Sequence, residues 1–283
     1  MKTYLEISIS ASGEQREMLI PTMMELGCVG FLETDTALLS YVAMDRWDEA
    51  ELRSYKNRLH ALLRTISSNA EVKFQEIPDR NWNEEWEKTI QPIDVSERIV
   101  IKPSWAEYVN SAGKIVIQID PKMSFGTGYH ETTRLTLLLL EKYLKPGWRV
   151  LDVGTGTGIL AIAAVSLGGS SAVGTDTDTW ALENAAENIC ANGLEGKVEV
   201  QNKPPNEFPP SDFDLLTANL TLNTNIELLK DFRIALRNGG MLLLSGLLSA
   251  DRDTMIHELE KEHFQVVEER SENEWVAIAA RKP

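Results

Sequence analysis

A glycine-rich turn follows an apolar run in residues 150–160, VLDVGTGTGIL. Glycines at positions 154, 156 and 158 let the chain turn tightly and leave bare backbone against which a ligand can lie. A dinucleotide-binding turn has the spacing G-x-G-x-x-G, but residue 159 is isoleucine. A phosphate loop needs a lysine after its last glycine, and none follows here. The turn therefore predicts a nucleotide-type ligand without requiring a pyrophosphate.

A second acidic residue, Asp176, lies at the end of the next predicted strand in VGTDTD. A carboxylate at this position can accept hydrogen bonds from both hydroxyls of a ribose. Its alternative role, as N-cap of the following helix, suits Asp178 better. Strand, glycine turn, helix and acidic strand end together predict a site for an adenosine-type ligand.

Composition narrows the classes of partner. The 283 residues carry a formal net charge of −15, which argues against a broad contact with nucleic acid phosphates and favours a basic partner. Cys28 and Cys190 are far apart and match no metal-ligand spacing, so neither a metal site nor a disulfide framework is expected. We find no apolar stretch of signal-peptide or membrane-span length, and we expect a cytoplasmic protein.

Residues 1–76 are predicted to form a small domain with the order β-α-β-β-α-β of a ferredoxin-like sandwich. YLEISI alternates as a half-buried strand, with Leu5, Ile7 and Ile9 on one face. A helix is expected over residues 13–27, then a hairpin in GFLETDTALLSYVA, a second helix beginning near Asp45, and a closing strand in EVKFQEI.

A linker is predicted at residues 77–96, with one helical stretch that contains Trp82 and Trp86. Residues 97–283 then alternate between strands and helices, which indicates an α/β domain with a mostly parallel sheet. The predicted strands are RVLDV, SAVGTD, KVEVQ, FDLLTAN and MLLLSG, and the predicted helices cover residues 158–167, 178–191, 224–237 and 249–262. FQVVEER and EWVAIAA are expected to form a final hairpin that places one antiparallel strand in this sheet.

Several segments resemble known methyltransferases. VLDVGTGTGILAIAA and VGTDTDTWALENAAENICANG resemble the cofactor-binding half of class I S-adenosylmethionine-dependent methyltransferases, which have a Rossmann-like sheet. DPKMSFGTGYHETTRLTLLLLE, TANL, LSGLL and EWV together resemble the PrmA family, which methylates large-subunit ribosomal protein eleven. The resemblance spans nearly the whole chain and is weakest in the first 76 residues. It implies S-adenosylmethionine as cofactor, and lysine side chains or the N-terminal amine of that ribosomal protein as methyl acceptors.

The resemblance also implies which residues contact the cofactor. Gly154 and Gly156 would lie against the methionine part, and Asp176 would hold the ribose. Thr133 and Asn219 match family positions that contact S-adenosylmethionine. A loop over the methionine and the transferring methyl group would consist of Phe125, Gly126, Thr127 and Gly128.

Methyl transfer to an amine places one demand on the site. A lysine ammonium, with a pKa near ~10.4, has no lone pair until it loses a proton. Burial lowers that pKa, and an amide oxygen can orient the neutral amine. Asn219 is the candidate for this oxygen. For His130, one interpretation is that it accepts a proton or forms a wall of the pocket. The other is that it is a hydrogen-bonded residue that fixes the FGTG turn, and this second interpretation is favoured.

The residues after Asn219 indicate which kind of methyl acceptor the site binds. Methyltransferases of planar amides or base nitrogens often continue with Asn-Pro-Pro-aromatic, whereas Leu220 and Thr221 follow here, which favours an aliphatic amine. The small N-terminal domain would then hold the protein substrate. Three alternatives remain open at the level of sequence: methylation of another protein or a small amine, a binding protein that uses the cofactor only structurally, and a dinucleotide oxidoreductase.

Overall fold

The computed structural model describes residues 3–10, 19, 23, 26–28, 30–33, 37–44, 47, 49–66, 72–78, 91–120 and 126–283. The chain divides into two compact units, Met1–Glu84 and Glu85–Pro283. The helix predicted over residues 13–27 lies largely outside the described residues. The predicted linker helix with Trp82 and Trp86 lies outside them as well. No helix within the described ranges is long and apolar enough to cross a membrane.

The first unit contains a four-stranded antiparallel sheet. Its elements are β1 (Thr3–Ser10), β2 (Gly30–Glu33), β3 (Ala37–Ala43), α1 (Glu49–Ile66) and β4 (Val72–Pro78), with the strand order β2-β3-β1-β4. The predicted strands and the hairpin of β2 and β3 are confirmed. Leu5, Ile7 and Ile9 are fully buried, as their alternation in β1 predicts, and they share a core with Tyr55 and Leu59 from α1. Apolar residues at every second position of the strand and at every third or fourth position of the helix thus form one apolar layer between the two elements.

The second unit is built on a seven-stranded sheet. Its strands are β8 (Arg149–Val153), β9 (Ser171–Thr175), β10 (Val198–Gln201), β11 (Phe213–Asn219), β12 (Leu236–Leu248), β13 (Gln265–Glu272) and β14 (Trp275–Arg281), in the order β10-β9-β8-β11-β12-β14-β13. β14 runs antiparallel to both neighbours and the remaining pairings are parallel, so the predicted fold class and its single antiparallel strand are confirmed. Both faces of the central strands are covered, which explains their continuous apolar runs.

Within the described residues, five α-helices accompany this sheet: α2 (Glu131–Tyr143), α3 (Ile159–Ser166), α4 (Thr179–Ala191), α5 (Leu222–Ala235) and α6 (Arg252–Lys261). The last four agree with prediction to within a few residues. From β8 the chain crosses through α3 to β9 on one side, whereas β11 lies on the other side of β8. The connections that leave the carboxyl ends of β8 and β11 therefore diverge and open a crevice, which is where open α/β sheets bind ligands.

A three-stranded sheet precedes α2 and was not predicted. It consists of β5 (Ile93–Asp94), β6 (Ile99–Lys102) and β7 (Ile115–Gln118). Three asparagines, each four residues from the next, lie in α4 and at its C-cap and bind the backbone at and just beyond the end of β7. Asn192 pairs with the N–H and C=O of Gln118, Asn188 accepts from the N–H of Asp120, and Asn184 donates to its C=O. These amides satisfy backbone groups that would otherwise need a neighbouring strand.

Candidate functional site

A cavity of about 790 Å³ opens at the carboxyl ends of the central strands. Its wall includes the glycine turn after β8, the loops after β9 and β10, and the first residues after β11. His130, at the start of α2, and Trp275, the first residue of β14, contribute rings to the same wall. Residues from these six segments, together with Gly246 of β12, thus meet at the crevice that the strand order creates.

The glycine turn has a left-handed backbone. Gly154, Gly156 and Gly158 have φ values of 73°, 53° and 82°, which residues with a Cβ rarely adopt. A Cβ on Gly154 would lie 2.4 Å from Cδ2 of Leu220, and one on Gly158 would lie 3.2 Å from Cβ of Ala185. These glycines are therefore required both for the turn itself and for the close approach of Leu220 and α4.

Asp176 follows β9 and lines the cavity. Its Oδ2 accepts a hydrogen bond from the backbone N–H of Gly156 at 3.0 Å, and its Oδ1 accepts one from the N–H of Asp178 at 3.0 Å. The carboxylate is thus oriented by the glycine turn, and its oxygens keep lone pairs for further donors. The N-cap of α4 is Asp178, whose Oδ1 accepts from the N–H of Trp180, as predicted.

Asp152, in the middle of β8, is fully buried beneath the turn. Thr155 donates a hydrogen bond to its Oδ2 at 2.7 Å, and Thr217 of β11 donates one to its Oδ1 at 2.6 Å. Burial raises the pKa of this carboxyl group to about 6, although the two threonine hydroxyls oppose that shift. Asp152 therefore ties the glycine turn to the neighbouring strand. Its signal in the sequence is a carboxylate inside an otherwise apolar strand.

His130 is the N-cap of α2. Its Nδ1 accepts from the backbone N–H of Thr132 at 3.3 Å and lies 2.9 Å from the Thr132 hydroxyl. The ring packs edge-on against Trp275, with 4.8 Å between centroids. His130 thus forms a wall of the cavity while it holds the start of the helix. Trp275 belongs to the EWV motif, but the sequence assigned it no role of its own.

Asn219 ends β11 and faces the cavity. Its Nδ2 lies 3.2 Å from the hydroxyl oxygen of Thr132 and 3.5 Å from that of Thr133. Its Oδ1 is buried and has no hydrogen-bond partner among the described residues. A buried amide oxygen without a donor is costly, and a ligand with an N–H or O–H group would stabilise it.

The remaining predicted cofactor contacts lie around this cavity rather than in its described wall. Thr133 is 1% exposed and is one residue past Thr132, which does line the cavity. The hydroxyl oxygen of Thr133 nevertheless lies 3.5 Å from Nδ2 of Asn219, so its contact with a cofactor stays a prediction. The carbonyl oxygen of Gly126 accepts from the Thr157 hydroxyl at 2.7 Å, behind the glycine turn. Thr127 and Gly128 follow in the same loop, and Phe125 lies outside the described residues.

The FGTG loop is attached to the glycine turn and to β6. A Cβ on Gly126 would lie 2.8 Å from the Thr157 hydroxyl, and one on Gly128 would lie 2.5 Å from Cδ1 of Ile101. Both glycines have positive φ values, 101° and 84°. Their contacts with a cofactor remain a prediction. Among the described residues, no group of three or more His, Cys, Asp and Glu is arranged to hold a metal ion.

Comparison with known proteins gives a consistent picture. The family model described as ribosomal protein L11 methyltransferase (PrmA) matches residues 3–283. The chain is similar to the ribosomal protein L11 methyltransferase of Caldanaerobacter subterraneus subsp. tengcongensis, at 33% identity over 99% of both chains. The protein of the same name from Caldicellulosiruptor saccharolyticus is 30% identical, again over 99% of both chains. The solved ribosomal protein L11 methylase of Lactobacillus delbrueckii subsp. bulgaricus matches with a TM-score of 0.64 and 30% identity, over 68% of this chain and 100% of that one.

Proposed function

Because the chain belongs to the ribosomal protein L11 methyltransferase (PrmA) family, we propose that it transfers methyl groups from S-adenosylmethionine to lysine side chains or the N-terminal amine of ribosomal protein L11. The observation that carries the choice of an amine is the buried Oδ1 of Asn219, a residue of the cavity wall, because this oxygen has no donor among the described residues. An amine N–H supplies that donor.

The cavity fits S-adenosylmethionine. Asp176 offers carboxylate lone pairs to the two ribose hydroxyls, at the strand end next to the glycine turn. Gly154 and Gly156 bring bare backbone to the wall beside it. We expect Thr133 and the loop of Phe125, Gly126, Thr127 and Gly128 to approach the methionine part from the side of α2.

When bound, S-adenosylmethionine supplies an electrophilic methyl group on a positively charged sulfur. The protein must present a neutral amine at about 3 to 3.5 Å from that methyl carbon, in line with the bond that breaks. Asn219 does this by accepting one amine N–H at Oδ1, so that the lone pair on nitrogen points elsewhere and can attack. The burial of this oxygen favours the neutral amine, since an ammonium ion loses more hydration in the same place.

The aromatic wall suits the aliphatic amine. Trp275 and His130 lie edge to face at the cavity, and the side chain of Leu220 covers Gly154. Methylene groups of a lysine side chain can pack on these apolar surfaces, and a charged methylated amine is attracted to an aromatic face. His130 contributes its ring here while its Nδ1 accepts within the helix cap. This nitrogen is therefore engaged in the helix cap rather than facing the amine as an acceptor.

Three segments divide the work in this proposal. Residues 97–283 bind the cofactor and the amine, residues 77–96 link the two units, and residues 1–76 hold the protein substrate. Two observations support it: the first unit has a core of its own, and the described cavity is lined only by residues of the second unit. The net charge of −15 favours attraction to a basic ribosomal protein.

The direct test is mass measurement of purified ribosomal protein L11 after incubation with this protein and S-adenosylmethionine. We expect the mass of L11 to rise in steps of one methyl group, and fragmentation should place the groups on lysine side chains or the N-terminal amine. If L11 stays unmodified while a different protein or a small amine is methylated in the same assay, the proposed acceptor is wrong. The heat-denatured protein serves as the control.

A further inference from the structure

Resting on the proposed function, we propose that Thr132 is a positioning residue that orients the amide of Asn219, with the amide oxygen turned toward the acceptor amine. An asparagine amide can occupy its site in two orientations that exchange oxygen and nitrogen. Only one of them suits methyl transfer. Nitrogen toward the amine would donate to the same lone pair that must attack the methyl carbon.

The hydrogen bonds of His130 determine which atom of Thr132 faces Asn219. Nδ1 of His130 already accepts from the backbone N–H of Thr132, so this nitrogen carries no proton. The Thr132 hydroxyl lies 2.9 Å from the same nitrogen and therefore donates to it. Its proton is thus committed to His130, and its oxygen is left as an acceptor.

The amide of Asn219 responds to this arrangement. Nδ2 lies 3.2 Å from the Thr132 hydroxyl oxygen and donates to it. The opposite orientation would bring Oδ1 against that oxygen, with no proton between them. Thr132 is 1% exposed and Oδ1 of Asn219 is buried, so water does not readily rescue the opposite orientation. The Thr133 hydroxyl, at 3.5 Å, is a weaker partner for the amide.

The experiment compares Thr132→Val with Thr132→Ser and a matched control, Thr136→Val. Valine keeps the shape of threonine and removes the hydroxyl. Thr136 is also fully buried in α2, and its hydroxyl donates only to the carbonyl oxygen of Thr132. Two quantities are measured for each variant: kcat for methylation of ribosomal protein L11, and the Kd of S-adenosylhomocysteine by calorimetry.

We expect Thr132→Val to lower kcat by about 5- to 10-fold, the equivalent of one net hydrogen bond. The Kd should stay within about 3-fold of wild type, because Asn219 is only one of several expected contacts to the cofactor, whereas it is the proposed acceptor for the amine. Thr132→Ser should restore kcat, and Thr136→Val should leave it unchanged. An unaltered kcat in Thr132→Val overturns the proposal. So does failure of the serine variant to restore it, or a loss of cofactor affinity as large as the loss of kcat.

A readout independent of turnover separates this proposal from the proposed function. With ¹⁵N-labelled asparagine, the side-chain protons of Asn219 can be identified by their absence in Asn219→Ala. We expect them to exchange faster with solvent in Thr132→Val than in wild type or Thr136→Val. Equal exchange in all three proteins refutes the orienting role. Absence of methylation of ribosomal protein L11 by the wild-type protein refutes the proposed function instead.

Discussion

At the scale of single residues, the site depends on polar groups held by neighbours that are themselves buried or hydrogen-bonded. Asp176 is oriented by the N–H groups of Gly156 and Asp178, and Asn219 by the hydroxyl of Thr132. Asp152 supports the turn from below through Thr155 and Thr217. In the proposed function, these side chains are thus held by hydrogen bonds before a ligand binds.

The first residue-scale prediction concerns Asp176. Asp176→Ala removes the acceptor for two ribose hydroxyls, and hydrogen bonds to charged groups are worth about 1.5 to 3 kcal/mol each. We expect calorimetry to show at least about 10-fold weaker binding of S-adenosylmethionine. Asp178→Ala is the control, since it removes the N-cap of α4 and leaves the ribose acceptor in place. Near-normal affinity in Asp176→Ala would count against the ribose assignment.

The second residue-scale prediction is a pH dependence that originates at Asp152. The pKa of this group is raised to about 6 in the folded protein, above its value of ~3.9 in an unfolded chain. The folded protein binds the proton of Asp152 more tightly than the unfolded chain does. The resulting contribution to the free energy of unfolding is fully present below about pH 4 and is lost as the pH rises through about 6. Asp152→Asn does not titrate there. From pH 4 to 7, wild type should lose roughly 2 kcal/mol of unfolding free energy relative to this variant, measured by denaturant titration. Parallel profiles for the two proteins would exclude a raised pKa.

At the scale of elements, the hairpin of β13 and β14 is joined to α2 at both of its ends. Near its base, Glu268 accepts hydrogen bonds from Lys142 and Tyr143. Near its turn, Glu272 forms an ion pair with Arg134, which also donates to the carbonyl oxygen of Tyr129. The hairpin thereby holds Trp275 against His130 at the cavity.

Glu268→Gln tests this attachment. Burial tends to raise the pKa of Glu268, but hydrogen bonds from Lys142, Tyr143 and Arg270 outweigh it and lower the pKa to about 2. Its stabilising contribution is present above the unfolded pKa of ~4.3 and is lost as the pH falls through about 2. We expect the variant to lose about 1 to 2 kcal/mol at neutral pH. Hydrogen exchange of the hairpin amides should rise accordingly, whereas Glu260→Gln, on the exposed side of α6, should have no effect. Unchanged hydrogen exchange in Glu268→Gln would show that the hydrogen bonds of Glu268 do not stabilise this end of the hairpin.

At the scale of the whole molecule, the two units have separate cores and the described cavity belongs to the second. A solved relative matches 68% of this chain over 100% of its own. The separate cores motivate the prediction that the second unit binds the cofactor and the first holds the substrate.

Deletion of residues 1–76 tests that division. The truncated protein should bind S-adenosylhomocysteine with a Kd within about 3-fold of the full chain, because the described wall of the cavity is intact. It should no longer methylate ribosomal protein L11 at a measurable rate. If the two proteins methylate L11 equally fast, the first unit has no part in holding the substrate. A loss of cofactor binding would mean that the units do not function independently.

Much of the fold was predictable because local sequence patterns specify most of its strands and helices. The alternation in β1, the apolar runs of the central strands and the three glycines after β8 depend on residues that are near one another in sequence. β5 to β7 and α2 were not predicted. β5 has two residues, and β7 is completed by asparagine side chains of α4 rather than by a neighbouring strand.

The sequence by itself predicted the class of the sheet, the glycine turn and Asp176 from local patterns, because the turn and the acidic residue stand at strand ends. It predicted Asn219 from the resemblance to the PrmA family. Only the tertiary structure decided how these groups are oriented. Thr132 and Asn219 are 87 residues apart, and Trp275 reaches His130 through a hairpin from the far end of the chain. The distances from Asn219 to the hydroxyls of Thr132 and Thr133 depend on the rotation of α2 against the sheet. That rotation is set by packing between residues that are far apart in the sequence, and a local sequence pattern therefore does not predict it.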